Sequence, residues 1–378
     1  MSPALTNKHL HIVCFDVPYP VDYGGVFDLF HKIKVLHDLG IQIHLHCFEY
    51  GRGRQKELNN YCRSVTYYKR KKIYKSFPFR LPFIVSSRAN RSLLNNLLKD
   101  EHPVLLEGIH CTYFLFSGEL RNKKVFVRLH NVEYEYYEEL AKATKNIFRK
   151  LYFQHESNLL KKYEKGIANK ATFITVSEKD KDTYEQNFSA REVKYLPVFL
   201  PFTHVKSEAG TGDFCLYHGN LSVPENEKAV LWLLENVFDT LDIPFVIAGK
   251  NPPGRIKKIT NKNENVCLVA NPSVNEMDEL IKKAQVHLLP SFNKTGIKIK
   301  LLNALFNGRF IVTNLSGVEG SGLEDFYVIA GTPLEYKKIA GELFTSSFTE
   351  TDINRRKRIL EGVYNNQENA IRLMQWIW

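Results

Sequence analysis

Asp22, Tyr23, Gly24 and Gly25 open the stretch DYGGVF, where two glycines run directly into an apolar pattern of helical spacing. Paired glycines let a backbone come close to a phosphate or a sugar, and they equally make an ordinary turn with a flexible helix start. His130 and Asn131 follow at once on the apolar run KVFVRL. An imidazole placed where a strand hands over to a loop can exchange protons with a ligand, although a lone histidine is more often structural. Glu107, in LLEGIH, ends another apolar run and either orients a substrate or sits buried and hydrogen-bonded. NKTGIKIK places Thr295, Gly296, Ile297, Lys298 and Lys300 at the start of a helix. Gly296 frees backbone amides there, and two lysines beside a helix start favour an anionic ligand, because the dipole alone prefers acids at that end. A lysine pair of this kind is otherwise an ordinary solvated face.

These stretches need a scaffold of strands and helices. HIVCFDV reads as a buried strand, VFDLFHKIKVLHDLG as a helix with Val26, Phe30, Ile33 and Leu36 on one face, and IQIHLHCF as a second strand by alternation. Strand, helix, strand predicts a parallel sheet. Further strands are expected at PVLLEG, KVFVRLH and ATFITVS, with one long helical stretch from about Glu133 to Ile167. After YLPVFLPFTHVKSEAGTGD, a candidate linker rich in Pro and Gly, the alternation resumes. FCLYHG, PFVIAG, NVCLVA, VHLLPS and RFIVTN are strands, and SVNEMDELIKKAQ is a helix opened by a capping box of Ser273 and Glu276. The reading is α/β with two doubly wound domains, residues 1–200 and 201–360, and a last helix in 361–378 packing back on the first half.

A chain of 378 residues, 44% hydrophobic and 25% charged, exceeds what one core usually serves. A formal charge of +11 suits an anionic partner. Six scattered cysteines without a C-x-x-C pair predict reduced thiols, no disulfide and no structural zinc. No run approaches the roughly 20 apolar residues of a membrane span.

In order along the chain, PYPVDYGG, VRLHNVEYEYYEEL, YHGNLSVPENEKAVLWL, AGKNPP and TGIKIKLLNALFNGRFIVT resemble the GT-B glycosyltransferases, in particular the family 4 (group 1) retaining enzymes of bacterial surface-polysaccharide synthesis. The resemblance extends over nearly the whole chain and implies two facing Rossmann-like domains with a cleft between them. It implies that Gly24 and Gly25 approach the donor diphosphate and the acceptor, with Asp22, Tyr23, Glu107 and Asn131 on the acceptor side. It places His130 beside the transferred sugar. Gly219 would begin the nucleotide site, and the diphosphate would lie over the helix starting at Gly296.

Three positions depart from the family pattern. Its two glutamates, seven residues apart, are replaced here by Thr295 and Asn303; the second normally grips the ribose hydroxyls, which Asn303 can attempt with one acceptor and two donors. The basic residue after the first-loop glycine is Asn220. The phosphate charge would then fall to Lys298, Lys300 and Lys250.

The expected reaction moves a sugar from a nucleotide-diphosphate donor to a glycan or lipid-linked oligosaccharide, with retention and without a metal or other cofactor, because positioned cations and helix amides can stabilise the departing diphosphate. Asp180 to Asp182, DKD, matches an Asp-x-Asp metal motif but starts a polar helix, and no function is assigned to it. Tyr67 to Arg91, dense in basic and aromatic residues, is expected to meet an anionic membrane surface rather than nucleic acid. The protein is then expected in the cytoplasm, peripheral on the inner membrane face. The rivals are a catalytically degenerate partner subunit or nucleotide-sugar sensor, kept open by Thr295, Asn303 and Asn220, and a nucleotide-sugar epimerase of the same fold.

Overall fold

The computed structural model describes residues 8–21, 24–71, 80–261 and 263–378. Asp22 and Tyr23 lie outside them, as does the centre of the basic and aromatic stretch. The chain forms two compact units, one of residues 1–201 and 366–378, the other of 202–365.

The first unit is built on a seven-stranded parallel sheet in the order β3-β2-β1-β4-β5-β6-β7. Its strands are β1 His9–Cys14, β2 Gln42–Glu49, β3 Ser64–Lys69, β4 Val104–Glu107, β5 Val125–Leu129, β6 Thr172–Thr175 and β7 Val193–Tyr195. β4 and β5 are buried along their whole length because helices cover both faces of the sheet. Leu10, Ile12 and Cys14 face one core, which Leu29, Phe30 and Ile33 of helix α1 (Gly24–Asp38) close. Val13, Val104, Leu106 and Val127 face the other, covered by helix α2 (Arg91–Leu97) and its neighbours.

The single helix expected from Glu133 to Ile167 is two, α3 (Glu133–Ala143) and α4 (Ile147–Ile167). Asn146 breaks it by capping α4, its side chain accepting from Arg149 N at 3.1 Å. Glu164 of α4 returns to the start of α3 and accepts from the amides of Glu133 and Tyr134 at 3.1 and 3.0 Å. Helix α5 (Glu178–Phe188) is opened by Ser177, whose side chain accepts from Asp180 N, so Asp180 occupies a buried position in its first turn. Strand β3 is not legible in the sequence. It is formed by SVTYYK, whose Tyr68 packs into the core, so the front of the basic and aromatic stretch is sheet.

The second unit carries a six-stranded parallel sheet, β10-β9-β8-β11-β12-β13. The strands are β8 Cys215–Asn220, β9 Phe245–Lys250, β10 Val266–Ala270, β11 Val286–Leu288, β12 Phe310–Thr313 and β13 Val328–Ile329. The helices that pack on it include α6 (Pro224–Asn236), α7 (Gly254–Thr260), α8 (Val274–Lys283), α9 (Ile299–Asn307) and α10 (Pro333–Phe344), and α11 (Glu350–Val363) packs against α9. The capping box of Ser273 and Glu276 opens α8.

The stretch expected as a linker is only partly one. Leu196 and Phe199 are buried in the first unit, and the division falls at Pro201. Helix α12 (Asn366–Ile377) belongs to that first unit, where Ala370, Leu373, Met374 and Ile377 join the core that α1 closes.

Candidate functional site

In each sheet the strand order reverses direction once, between β1 and β4 and between β8 and β11. Doubly wound sheets bind ligands outside the carboxyl ends of the strands at that point. Each unit gathers polar side chains there.

In the first unit, Glu107 ends β4 and His130 follows β5. Helix α1, which Gly24 and Gly25 open, supplies Asp28 and Lys32 from consecutive turns of one face. Arg128 of β5 completes the group. Its guanidinium grips Asp28 with two bonds, at 2.9 and 3.1 Å, and also donates to the carbonyls of Leu196 and Pro197 at 2.6 and 2.9 Å. The Lys32 ammonium lies 2.8 Å from Glu107 and 3.1 Å from Asp28. Phe199 N donates to Asp28 at 2.8 Å. His130 Nε2 stands 3.1 Å from Glu107 Oε2, and its Nδ1 is 3.9 Å from Asp28.

Asp28, Lys32, Glu107 and Arg128 are buried to within 1% exposure, while the His130 side chain keeps 13%. Burial pushes the Asp28 carboxyl up, but Arg128 and Lys32 outweigh it and hold the group well below the usual carboxylate range. Burial likewise opposes ionisation of Glu107, and Lys32 followed by His130 brings it below its ordinary value. Two cations thus balance two carboxylates, and His130 is the member that meets solvent. Oxygen and nitrogen atoms of Asp28, Glu107 and His130 come within 4.8 Å of one another, the spacing of a metal triad, yet Lys32 and Arg128 already supply the positive charge there.

Asn131 turns its side chain to Glu133, whose carboxyl burial drives up to about 7. It serves the start of α3.

In the second unit, β8 ends in Tyr217, His218, Gly219 and Asn220. Gly219 has φ +155, and a side chain on it would press on Asn226 of α6. Asn226 Oδ1 accepts from Tyr217 Oη and from Lys300 Nζ, each at 3.0 Å, and its amide nitrogen donates to Asn220 O at 2.9 Å. Lys300 Nζ also lies 3.0 Å from Tyr217 Oη. Burial lowers the Lys300 ammonium to about 8, with Glu225 opposing that fall and Lys298 adding to it.

Lys300 and Lys298 therefore do not form the paired charge expected from their spacing. Helix α9 begins only at Ile299, so Lys300 turns inward toward β8, while the Lys298 ammonium bonds the carbonyls of Thr295 and Gly296. Gly296 has φ +69. Asn293 Oδ1 accepts from both Thr295 N and Thr295 Oγ1, at 2.8 and 2.7 Å. Asn303 Oδ1 accepts from Asn307 at 2.8 Å. Asn220 Oδ1 accepts from Ser222 N and Oγ at 3.2 and 2.7 Å. Thr295, Asn303 and Asn220 thus all make bonds within their own segments. Lys250 is exposed at the end of β9, beside Asn220 in the ladder, and Ile297 is half-buried.

Asp28, Lys32, Arg128, Tyr217 and Asn226 do not stand out in the sequence. The available signal is a charged residue inside an apolar face: Asp28 and Lys32 among Leu29, Phe30 and Ile33, and Arg128 within VFVRL.

Comparison with known proteins agrees with this fold. Residues 212–343 match the family described as glycosyl transferases group 1. An uncharacterised 44.6 kDa protein in the cps region of Klebsiella pneumoniae is 28% identical over 330 residues, 82% of this chain and 84% of the relative. A sucrose-phosphate synthase from Thermosynechococcus elongatus superposes with a TM-score of 0.70 at 12% identity, covering 98% of each chain. The Anabaena protein HepE, in complex with UDP and glucose, superposes with a TM-score of 0.64 at 10% identity over 97% of this chain and 99% of its own. The fold is that of the GT-B glycosyltransferases, and within the second unit residues 212–343 match the group 1 family.

Proposed function

We propose that the protein transfers a sugar from a nucleotide-diphosphate donor to a glycan or lipid-linked oligosaccharide of a bacterial surface polysaccharide. The observation that carries this reading is the half-buried Lys300 ammonium near the end of β8, whose hydrogen-bond acceptors among the described residues are the neutral oxygens of Tyr217 and Asn226. A cation drawn partly out of water without a bonded carboxylate is better satisfied when an anion meets it. The second unit binds the nucleoside diphosphate at this point, between Gly219 and the amides that precede α9. The group 1 match over this unit and the cps-region relative support the assignment.

As the diphosphate leaves, negative charge grows on its oxygens and the sugar ring gains oxocarbenium character. Lys300 and the helix amides stabilise the first without a metal ion, and the reaction proceeds with retention. In the first unit, Glu107 fixes the His130 ring by accepting from Nε2, so His130 presents one defined edge to the sugar and its acceptor.

The test is calorimetric titration with UDP-, GDP- and dTDP-sugars in the presence of EDTA. Saturable binding of one nucleotide class is expected. The local bonds of Thr295, Asn303 and Asn220 favour one second reading, a partner subunit that has lost its donor site, and no binding across the panel would bring it forward.

A further inference from the structure

Five histidines meet at the opposite end of the first sheet from Glu107 and His130, roughly 16 Å away along the strands. His9 and His11 alternate along β1, and His44 and His46 along β2; the pairing of His11 with His44 puts all four on one face. His102, from the loop between α2 and β4, stacks on His9 with ring centroids 4.6 Å apart.

The inner pair is fully used. Asn96 Nδ2 donates to Tyr68 Oη, which is 2.8 Å from His46 Nδ1. His46 Nε2 is 2.9 Å from His11 Nδ1, and His11 Nε2 is 3.1 Å from Asp100. One proton on each link makes a continuous chain of neutral rings ending on a carboxylate. The outer set differs. His44 Nδ1 is 2.9 Å from Ser64 Oγ, a group that can either donate or accept. His44 Nε2 is 2.9 Å from His9 Nδ1, and with both rings neutral one proton lies between the two nitrogens. Ligand atoms of His9, His44 and His102 lie within 4.8 Å of one another, and all three side chains are partly open to solvent.

We infer that His9, His44 and His102 form a binding site for one divalent transition-metal ion of the zinc class, separate from the strand-end sites. The ion replaces the proton shared by His9 and His44. Bonds of about 2.0–2.1 Å to two imidazoles need their nitrogens about 3.3 Å apart, a small opening from the observed pair, and water completes the coordination. Three neutral imidazoles suit zinc, nickel or copper rather than magnesium or calcium. When the ion takes Nε2 of His44, Ser64 Oγ can accept from Nδ1 and supply the outer hydrogen bond of a ligating histidine. Arg63 opposes the ion and Asp100 favours it. Bound metal would tie β1, β2 and the approach to β4 together.

The experiment titrates Zn²⁺ into the metal-stripped full chain, and into the His44→Gln and His102→Ala variants. One ion per chain is expected, with Kd of about 10 μM or tighter, a rise in Tm of roughly 5 °C at a hundredfold excess over Kd, and at least tenfold weaker binding in both variants. His102 is a loop residue 36% exposed, so its replacement leaves the core intact. No saturable binding by the parent chain, or undiminished binding by either variant, would overturn the site.

Discussion

His130 Nε2 lies 3.1 Å from Glu107 Oε2, and Glu107 in turn lies 2.8 Å from the Lys32 ammonium. The imidazole is thus oriented by a carboxylate that a buried cation keeps ionised. His130→Ala is expected to lower transfer by about 10²–10⁴-fold, the usual worth of a positioned acid or base, while nucleotide affinity stays within about threefold. Glu107→Gln keeps the shape and weakens the orientation, so its loss should be smaller. Steady-state transfer and calorimetric binding separate the two effects, and equal loss of both in His130→Ala would contradict the assigned role.

Asp28 is the point where Arg128, Lys32 and Phe199 N converge. Asp28→Ala leaves two buried cations against one carboxylate, and removing one partner of such a group costs about 3–5 kcal/mol. The urea midpoint should fall with an unchanged slope. The sign with pH follows from the depressed folded values of Asp28 and Glu107. Below the ordinary carboxylate range the unfolded chain binds the more protons, so their contribution is full above that range and is lost as pH falls through the folded values. Asp28→Ala should flatten that acid limb; an unchanged limb would remove Asp28 from the account.

Lys300 titrates at about 8 in the free protein. A bound diphosphate favours the ammonium and raises that value, so nucleotide binding takes up protons above pH 8. Affinity should be flat below about pH 8 and fall by up to tenfold per unit above it. Lys300→Met should weaken binding by about tenfold or more and abolish the pH dependence. Calorimetry at pH 7 and pH 9 in two buffers of different ionisation heat checks both, and an equal pH slope in parent and variant would show that another group is titrating.

Much of this organisation is legible in the sequence, for identifiable reasons. Glu107 and His130 each end an apolar run, and in a parallel sheet the ends of strands are where ligands are met. The partners of those residues are a different matter. Asp28 and Arg128 are 100 residues apart and meet only because β1, β4 and β5 are neighbours with α1 across them. Lys298 and Lys300 read as a matched pair because a helix was expected to begin at Gly296. With α9 starting at Ile299 they turn to different partners. Strand β3 is hidden because its tyrosines and lysine resemble a surface segment, whereas Tyr68 is buried among residues distant in the chain, Phe48 before it and Asn96 after it. The histidine group has the same cause, since His9 and His44 are 35 residues apart and only the β1–β2 register joins them.

Gly249 and Gly341 predict opposite outcomes for the same substitution. Gly249 is buried in β9 beside the end of β8, and a methyl group on it would lie 1.9 Å from Gly219 O and 2.9 Å from the Leu221 side chain. A carbonyl in a ladder cannot give way by that much without moving the loop, so Gly249→Ala should cost about 1–3 kcal/mol and weaken nucleotide binding by displacing Gly219 and Asn220. Gly341 lies within α10, where a methyl group meets nothing within 4 Å. Gly341→Ala should therefore stabilise the chain by about 0.5–1 kcal/mol through the lower entropy of the unfolded state, with binding unchanged. Thermal unfolding and nucleotide titration of the two variants side by side test the packing at the end of β8. Equal stability of both would mean that the close approach of Gly249 to Gly219 is not a constraint on the loop.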